Sequence, residues 1–275
     1  MNSLKKICLV LFGVFFITGG LYAQNVIFEK TYNTESNKKL DYSIITGNIS
    51  VKTWESNQVK ITVKGNNELK DILKVEEGNS GGNINVKVKF DEKDYDKEVN
   101  LSSEIYVPSS FNIDIKTAGG DMIAENINGK TDLKTAGGDI KIINTKGELD
   151  IKTAGGDISV TNHTGKADVS TAGGEVNIKS ADGEIKVSTM GGNINVLYSG
   201  ENKGMKLTTM GGNIDLKIPS DTKADIKLST MSGDIKVDFD LTNREEKENT
   251  LSGQINGGGE TIKCSTMGGN ISILK

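Results

Sequence analysis

From Phe111 to Lys275 one phrase recurs, Lys-Thr-Ala-Gly-Gly-Asp-Ile, drifting to Ser-Thr-Met-Gly-Gly-Asn-Ile. Its threonines are Thr117, Thr135, Thr153, Thr171, Thr189, Thr209, Thr230, Thr250 and Thr266, at intervals of 18, 18, 18, 18, 20, 21, 20 and 16 residues. A unit of that length is too small to bury a core alone, so the period requires units stacked on one another in a solenoid. Such a rod displays like side chains in columns, whereas a catalytic pocket needs unlike groups to converge.

Within one unit Leu149, Ile151 and Thr153 alternate with Asp150 and Lys152, and Gly155-Gly156 turns the chain. Ile158 and Val160 then alternate with Ser159, His163-Thr164-Gly165 forms a second turn, and Ala167, Val169 and Thr171 begin the next unit. Period-two alternation marks half-buried strands, so each coil holds two short strands and two turns. A left-handed hexapeptide helix would need an aliphatic residue every six positions; here the inward spacing alternates between two and seven. The expected fold is all-β: a parallel β-solenoid of about nine 18-residue coils, with a flattened two-sheet or irregular three-sheet cross-section. Residues 198–204 and 219–223 lengthen two turns. Residues 242–249, with Arg244, Glu245, Glu246, Lys247 and Glu248, form a charged excursion before a degraded unit at Thr250.

Residues 24–110 differ in character. Ile49 to Lys52, Val59 to Val63 and Ile84 to Val88 alternate between turn-forming residues, which reads as half-buried antiparallel strands. Most aromatics of the exported chain lie here: Phe28, Tyr32, Tyr42, Trp54, Phe90, Tyr95 and Tyr106. This is expected to be an N-terminal β region that caps the solenoid over 111–275. Residues 1–23 read as a signal peptide: Lys5 and Lys6, an apolar stretch from Ile7 to Thr18, then Leu21-Tyr22-Ala23 before Gln24. The apolar stretch is short of the roughly 20 residues a membrane span needs. Cys8 opens that stretch instead of following the cut, so lipidation is not expected.

Signal removal leaves Cys264 as the sole thiol, with no intramolecular disulfide framework. A net charge of −4 argues against a nucleic-acid partner, which needs a basic face. No second apolar run could span a membrane.

At this point the residues resemble a known group, the bacterial putative-adhesin domain family of unknown function, a β-strand repeat family with a more distant likeness to head GIN domains. The resemblance rests on Ile45-Thr46-Gly47-Asn48-Ile49-Ser50-Val51 followed by Val59-Lys60-Ile61, on Tyr106-Val107-Pro108 leading into the first coil, and on the Thr-x-Gly-Gly-Asp/Asn-Ile units. It implies a secreted or envelope-associated β-solenoid and brings no catalytic residues with it.

Three site readings are weighed against plainer ones. Asp121, Asp139, Asp157, Glu175, Asn193, Asn213, Asp234 and Asn270 form a column, yet calcium β-rolls use Gly-Gly-x-Gly-x-Asp, and here the carboxylate follows the second glycine directly. The expected role is structural, with glycine supplying positive φ and Asp or Asn bonding its own turn. Carboxylates alternating with lysine, as in Asp132/Lys134 and Asp150/Lys152, are the pattern of a solvated sheet face. With His163 as the single histidine, no Ser-His-Asp set or multi-histidine zinc site can be assembled. Trp54 is the one candidate sugar platform. Cys264 falls at the inward position of Ile151 and is expected to be inert; Ala136, Ala154, Ala172, Met190, Met210, Met231 and Met267 are expected to set packing volume at a corner.

No catalytic, cofactor or metal residues are therefore expected. The expected function is a non-enzymatic, structural or adhesive surface in the cell envelope; a periplasmic ligand-binding or envelope-stress-associated module and a carbohydrate-active β-helix enzyme are the alternatives. Location is exported: periplasm, outer-membrane surface or extracellular. The expected partner is an envelope or extracellular protein or glycan; the C-terminal strand reads as an open edge, expected either to pair with a second copy or a partner protein or to stand as a short twisted edge in water.

Overall fold

The computed structural model describes residues 25–90 and 100–275. The expected signal peptide lies outside them, as do Cys8 and Tyr95. Regular structure there is almost wholly strand, apart from a 3-10 turn at Asn67–Leu69. The strands form two sheets of 12 and 13 members, here sheet I and sheet II.

Successive strands of the repeat alternate between the sheets. Leu149–Thr153 lies in sheet II, Ile158–Thr164 in sheet I and Ala167–Ser170 in sheet II again. Each pairs in parallel with its counterpart one unit away, as in Leu149↔Ala167, Ile151↔Val169, Ile158↔Val176 and Val160↔Ile178. Because the pairing offset equals the repeat, equivalent side chains stack in columns. Leu149, Ile151, Ile158, Val160 and Val169 are buried between the sheets, whereas Asp150, Lys152 and Ser159 face outward. Each fully buried aliphatic side chain contributes roughly 1.5–3 kcal/mol, which must offset the ordering of the chain.

The corners are held by threonine. The Thr171 hydroxyl accepts from Gly174 N–H at 3.2 Å and donates to Gly156 C=O of the preceding coil at 3.1 Å. Thr189 does the same with Gly192 N–H at 3.3 Å and Gly174 C=O at 3.1 Å. Thr209 and Thr266 repeat the pattern, so these hydroxyls close their own turns and join neighbouring coils, as the repeat predicts.

The reason for the second glycine differs from expectation. Gly120 and Gly138 have φ of 109° and 100°, but Gly156, Gly174, Gly192 and Gly212 lie outside the left-handed region. What they share is proximity. A Cβ on Gly156 would sit 1.9 Å from Gly138 O, and one on Gly174 would sit 2.1 Å from Gly156 O. The first glycine has room, since a Cβ at Gly155 would come no nearer than 3.8 Å to Ala136 O. Ser232 occupies that first position in its own unit.

Several expectations are corrected. The runs around Ile49 and Ile84 are not purely antiparallel: Asn48–Trp54 pairs in parallel with Leu101–Pro108 and Met122–Glu125, and Asn83–Phe90 in parallel with Lys39–Ile44. Alternation tells which face is buried, not the direction of the neighbour. Pairing runs across residue 110 unbroken, with Leu40 opposite Ile113. His163 is not in a turn but buried in the strand Ile158–Thr164.

The largest correction concerns the last units. Thr250 opens an exposed-edge hairpin: Thr250–Ile255 pairs antiparallel with Leu241–Lys247 and with Ala224–Ser229. The final unit then inserts. Thr261–Ser265 lies between Met205–Thr208 and Ala224–Ser229, and Ile271–Leu274 between Ile214–Lys217 and Ile235–Val237. The unit containing residues 224–237 therefore leaves one rung open, and the chain returns to fill it. The C-terminal strand is paired on both sides, so it offers no edge for self-association.

Candidate interaction surface

The aspartate and asparagine column also works otherwise than expected. Each side-chain oxygen accepts the backbone N–H of the equivalent residue in the next rung, not its own turn. Asp121 Oδ1 takes Asp139 N–H at 2.9 Å, Asp139 Oδ1 takes Asp157 N–H at 2.8 Å, and Asp157 Oδ1 takes Glu175 N–H at 2.8 Å. Asn193, Asn213 and Asn270 continue the ladder to Asn213, Asn270 and Asp234. Asp and Asn interchange because only the one oxygen is used. Glu175 is a methylene longer, and its carboxylate turns to Asn177 and Asn195 amides at 2.7 and 3.0 Å. A second asparagine column, toward the C-terminal ends of the sheet I strands, escaped sequence reading: Asn126, Asn144 and Asn162 hold φ of 61°, 53° and 56° and bond amide to amide. Asparagine tolerates that left-handed conformation better than most residues, and this was the available signal.

The two outer faces differ in charge chemistry. On sheet II, Asp41, Asp114, Asp132, Asp150 and Asp168 stand in register across adjacent strands. Lysines pair them: Lys116 with Asp114 at 2.9 Å, Lys134 with Asp132 at 2.8 Å, Lys152 with Asp150 at 3.0 Å and Lys186 with Asp168 at 2.8 Å. Burial pushes the Asp114 carboxyl up, but Lys39 and Lys116 together reverse this and hold it below the usual carboxylate range.

Sheet I carries a different face. Ser159, Asn177, Asn195 and Asp215 form one outward row, and Thr161, Lys179, Leu197 and Lys217 the next. Together with Leu274 they line an open trough of 360 Å³. Asn195 donates to Asn177 Oδ1 at 2.9 Å, so the amide row is ordered. Lys141, Lys179 and Lys217 have no ion-pair partner among the described residues. Toward the other end of the same sheet Trp54 and Tyr106 are half-buried neighbours, ring centres 5.6 Å apart and tilted by 34°, with Trp54 Nε1 donating to Gln58 O at 2.8 Å. The sequence singled out Trp54 but not its pairing with Tyr106, which depends on strands 52 residues apart.

Two reactive side chains are locked in the core. Burial pushes the Cys264 thiol up to about 12, and Cys264 is 0 % exposed. His163 contacts Thr145 Oγ1 through Nδ1 at 3.0 Å and Lys166 O through Nε2 at 3.2 Å, and burial lowers its pKa below the usual histidine value. The alanine and methionine column is the reverse of expectation. Met190, Met210, Met231 and Met267 are 56 %, 49 %, 65 % and 47 % exposed, so they project from the corner instead of packing it.

A protein-family model described as Toastrack DUF4097 matches residues 37–274. The chain belongs to this family. The match spans strands on both sides of residue 110, in keeping with the unbroken pairing of this Toastrack chain. Among solved structures, a putative adhesin from Bacteroides fragilis is 16% identical, with 90% of this chain and 96% of that chain covered and a TM-score of 0.43. A putative cell adhesion protein from Clostridium sporogenes is 12% identical, with 90% and 98% covered and a TM-score of 0.24. A putative lipid binding protein from Parabacteroides distasonis is 13% identical, with 90% and 96% covered and a TM-score of 0.44. No curated protein matches the chain.

Proposed function

We propose that this Toastrack chain is a non-enzymatic, exported surface protein of the bacterial cell envelope, and that the outer face of sheet I is its binding face. The contrast between the two faces carries this reading. Over the rungs from Asp114 to Asp168 sheet II pairs its outward aspartates with lysines, so that stretch leaves little free charge for a partner, although Lys206, Lys263 and Lys227 farther along the sheet have no ion-pair partner among the described residues. Sheet I presents ordered amides and hydroxyls, unpaired lysines and exposed Leu197 along a trough that crosses successive rungs. Repeated polar groups at the strand spacing suit an extended partner, a glycan or polypeptide, whose own groups recur along its length. Such a surface holds a ligand by many weak contacts, and it needs no convergent acid–base pair.

Two measurements test the proposal. Cell fractionation with protease treatment of intact cells locates the protein; retention in the cytoplasm would refute export. Binding of the purified protein to envelope preparations should fall in Asn177→Ala/Lys179→Ala/Asn195→Ala and persist in Asp132→Ala/Lys134→Ala. Equal binding by both variants would remove sheet I as the face.

A further inference from the structure

Beyond Ala172 three columns of the rod change together. In stack order the corner residue after each threonine reads Ala118, Ala136, Ala154, Ala172, Met190, Met210, Met267, Met231, the last two reversed because the final unit inserts. Backbone hydrogen bonds fix that order: Gly191 N donates to Ala172 O at 3.2 Å, Gly211 N to Met190 O at 3.0 Å, and Met267 N to Met210 O at 3.2 Å. Four residues before the corner, on the outer face of sheet II, Asp114, Asp132, Asp150 and Asp168 give way to Lys186, Lys206, Lys263 and Lys227. Three residues after it, Asp121, Asp139, Asp157 and Glu175 give way to Asn193, Asn213 and Asn270, with Asp234 in the last rung. The outward position between, first Lys116, Lys134, Lys152 and Ser170, becomes Ser188, Thr208, Ser265 and Ser229. Over these positions every alanine rung is net negative, the rungs of Met190, Met210 and Met267 are net positive, and that of Met231 is neutral.

The fold does not ask for this switch. The same corner closes with alanine, and the ladder oxygen serves equally from Asp or Asn. The lysines stand directly opposite one another, Lys186↔Lys206, Lys206↔Lys263 and Lys227↔Lys263, and like charges so placed cost stability. Lys186 is paired with Asp168 at 2.8 Å, but Lys206, Lys263 and Lys227 have no ion-pair partner among the described residues. Glu184 is engaged with Lys166 at 3.3 Å, and Asp225 holds the Gln254 amide at 2.9 Å. Parallel to the ammonium row, roughly 13 Å along the strands, runs the methionine ridge, between 47 % and 65 % exposed.

We propose that this corner of the rod rests on an anionic lipid bilayer, the methionines entering the headgroup region and the lysines meeting lipid phosphates. The uncompensated ammonium row selects an anionic partner. The ridge selects a bilayer over a hydrophilic polyanion, which would gain nothing from a row of exposed thioethers. Surfaces that lie in a membrane interface combine an apolar strip with lysines beside it, and a lysine stem can follow apolar surface while its head stays with the phosphates. The loss of carboxylates on both sides of the ridge removes repulsion from a negatively charged leaflet. This surface shares no residue with the sheet I trough, so its failure would leave that reading standing.

The test uses the exported chain from Gln24, so that the apolar stretch Ile7 to Thr18 cannot itself insert. Co-sedimentation is measured with vesicles of phosphatidylglycerol and phosphatidylethanolamine, and with phosphatidylcholine vesicles as the neutral control. Binding to the anionic vesicles alone, weakening as salt rises, is expected. Each lysine near such a leaflet strengthens binding roughly fivefold, so Lys206→Gln/Lys263→Gln/Lys227→Gln should weaken it by about tenfold or more, without lowering the melting temperature. Met190→Ala/Met210→Ala/Met267→Ala/Met231→Ala, which restores the residue of the preceding rungs, should also weaken it with the melting curve unchanged. Spin-labelled lipid should broaden the ε-methyl NMR signals of these four methionines and spare those of buried Met122 and Met205. No binding by the unaltered chain, or undiminished binding by the glutamine variant, overturns the proposal. Undiminished binding by the alanine variant also overturns it, and points to a hydrophilic polyanion in place of a bilayer.

Discussion

Replacing Gly156 by alanine isolates the contact that sets the stacking distance between coils. The added Cβ would lie 1.9 Å from Gly138 O, 2.3 Å from Gly138 C and 2.8 Å from Asp139 N, all of them backbone atoms. No flexible side chain can move aside. Relieving the contact to the 3.0 Å that Cβ atoms essentially never undercut means separating two backbones by about 1.1 Å. At that corner the displacement would stretch the Asp139–Asp157 bond of 2.8 Å and the Gly156–Thr153 bond of 3.3 Å beyond useful range. Two lost hydrogen bonds at roughly 1 kcal/mol each, with backbone strain of about 1–3 kcal/mol, give a cost of about 3–5 kcal/mol. Gly155→Ala is the control: its nearest contact would be 3.8 Å, and its φ lies outside the left-handed region. Loss of unfolded-state freedom should leave it neutral or stabilised by roughly 0.4–1 kcal/mol. Urea denaturation followed by far-UV circular dichroism measures both. Equal midpoints for the two variants would refute the argument that close approach, not φ, selects the second glycine.

Ile158→Asp, which places a carboxylate in the core beside Val160 and Val176, should be destabilised by about 3–5 kcal/mol or fail to fold, while outward Ser159→Asp should change by less than about 0.5 kcal/mol. Similar melting of the two would reverse the inward and outward faces. Cys264, buried and with its thiol raised to about 12, should resist a thiol-specific reagent in the native protein and react once it is unfolded; fast native labelling would contradict its position. Burial lowers the pKa of folded His163, so the folded residue takes up its proton at lower pH than the unfolded one, which does so near pH 6.5. Below about pH 6.5 the unfolded state binds more protons, so stability falls as pH falls until the lowered folded value is passed. His163→Gln should show a shallower loss between pH 7.5 and 5.5, and an unchanged slope would remove histidine as the cause.

The inward residues were legible in the chain itself. Alternation about Leu149, Ile151, Ile158 and Val160, repeated at 18, dictates two half-buried strands per unit and like-on-like columns, because a side chain's face follows from its parity along a strand. The threonine corners and the buried Cys264 followed from the same register. What alternation does not encode is which strand lies on the other side. Thus Asn48–Trp54 gained parallel neighbours, and Asp121 reached forward to the next rung instead of bonding its own turn. The methionines pointed outward because a corner residue lies outside the two-residue period that assigns strand faces. The reversal of the last units was the least accessible. Ile271–Leu274 carries the same local pattern as every other rung, and nothing in that pattern specifies its position in the stack. Chain order suggested the end of the rod. Only the tertiary structure placed the strand inside it, where both its edges find backbone partners in the open rung left beside Ile214–Lys217.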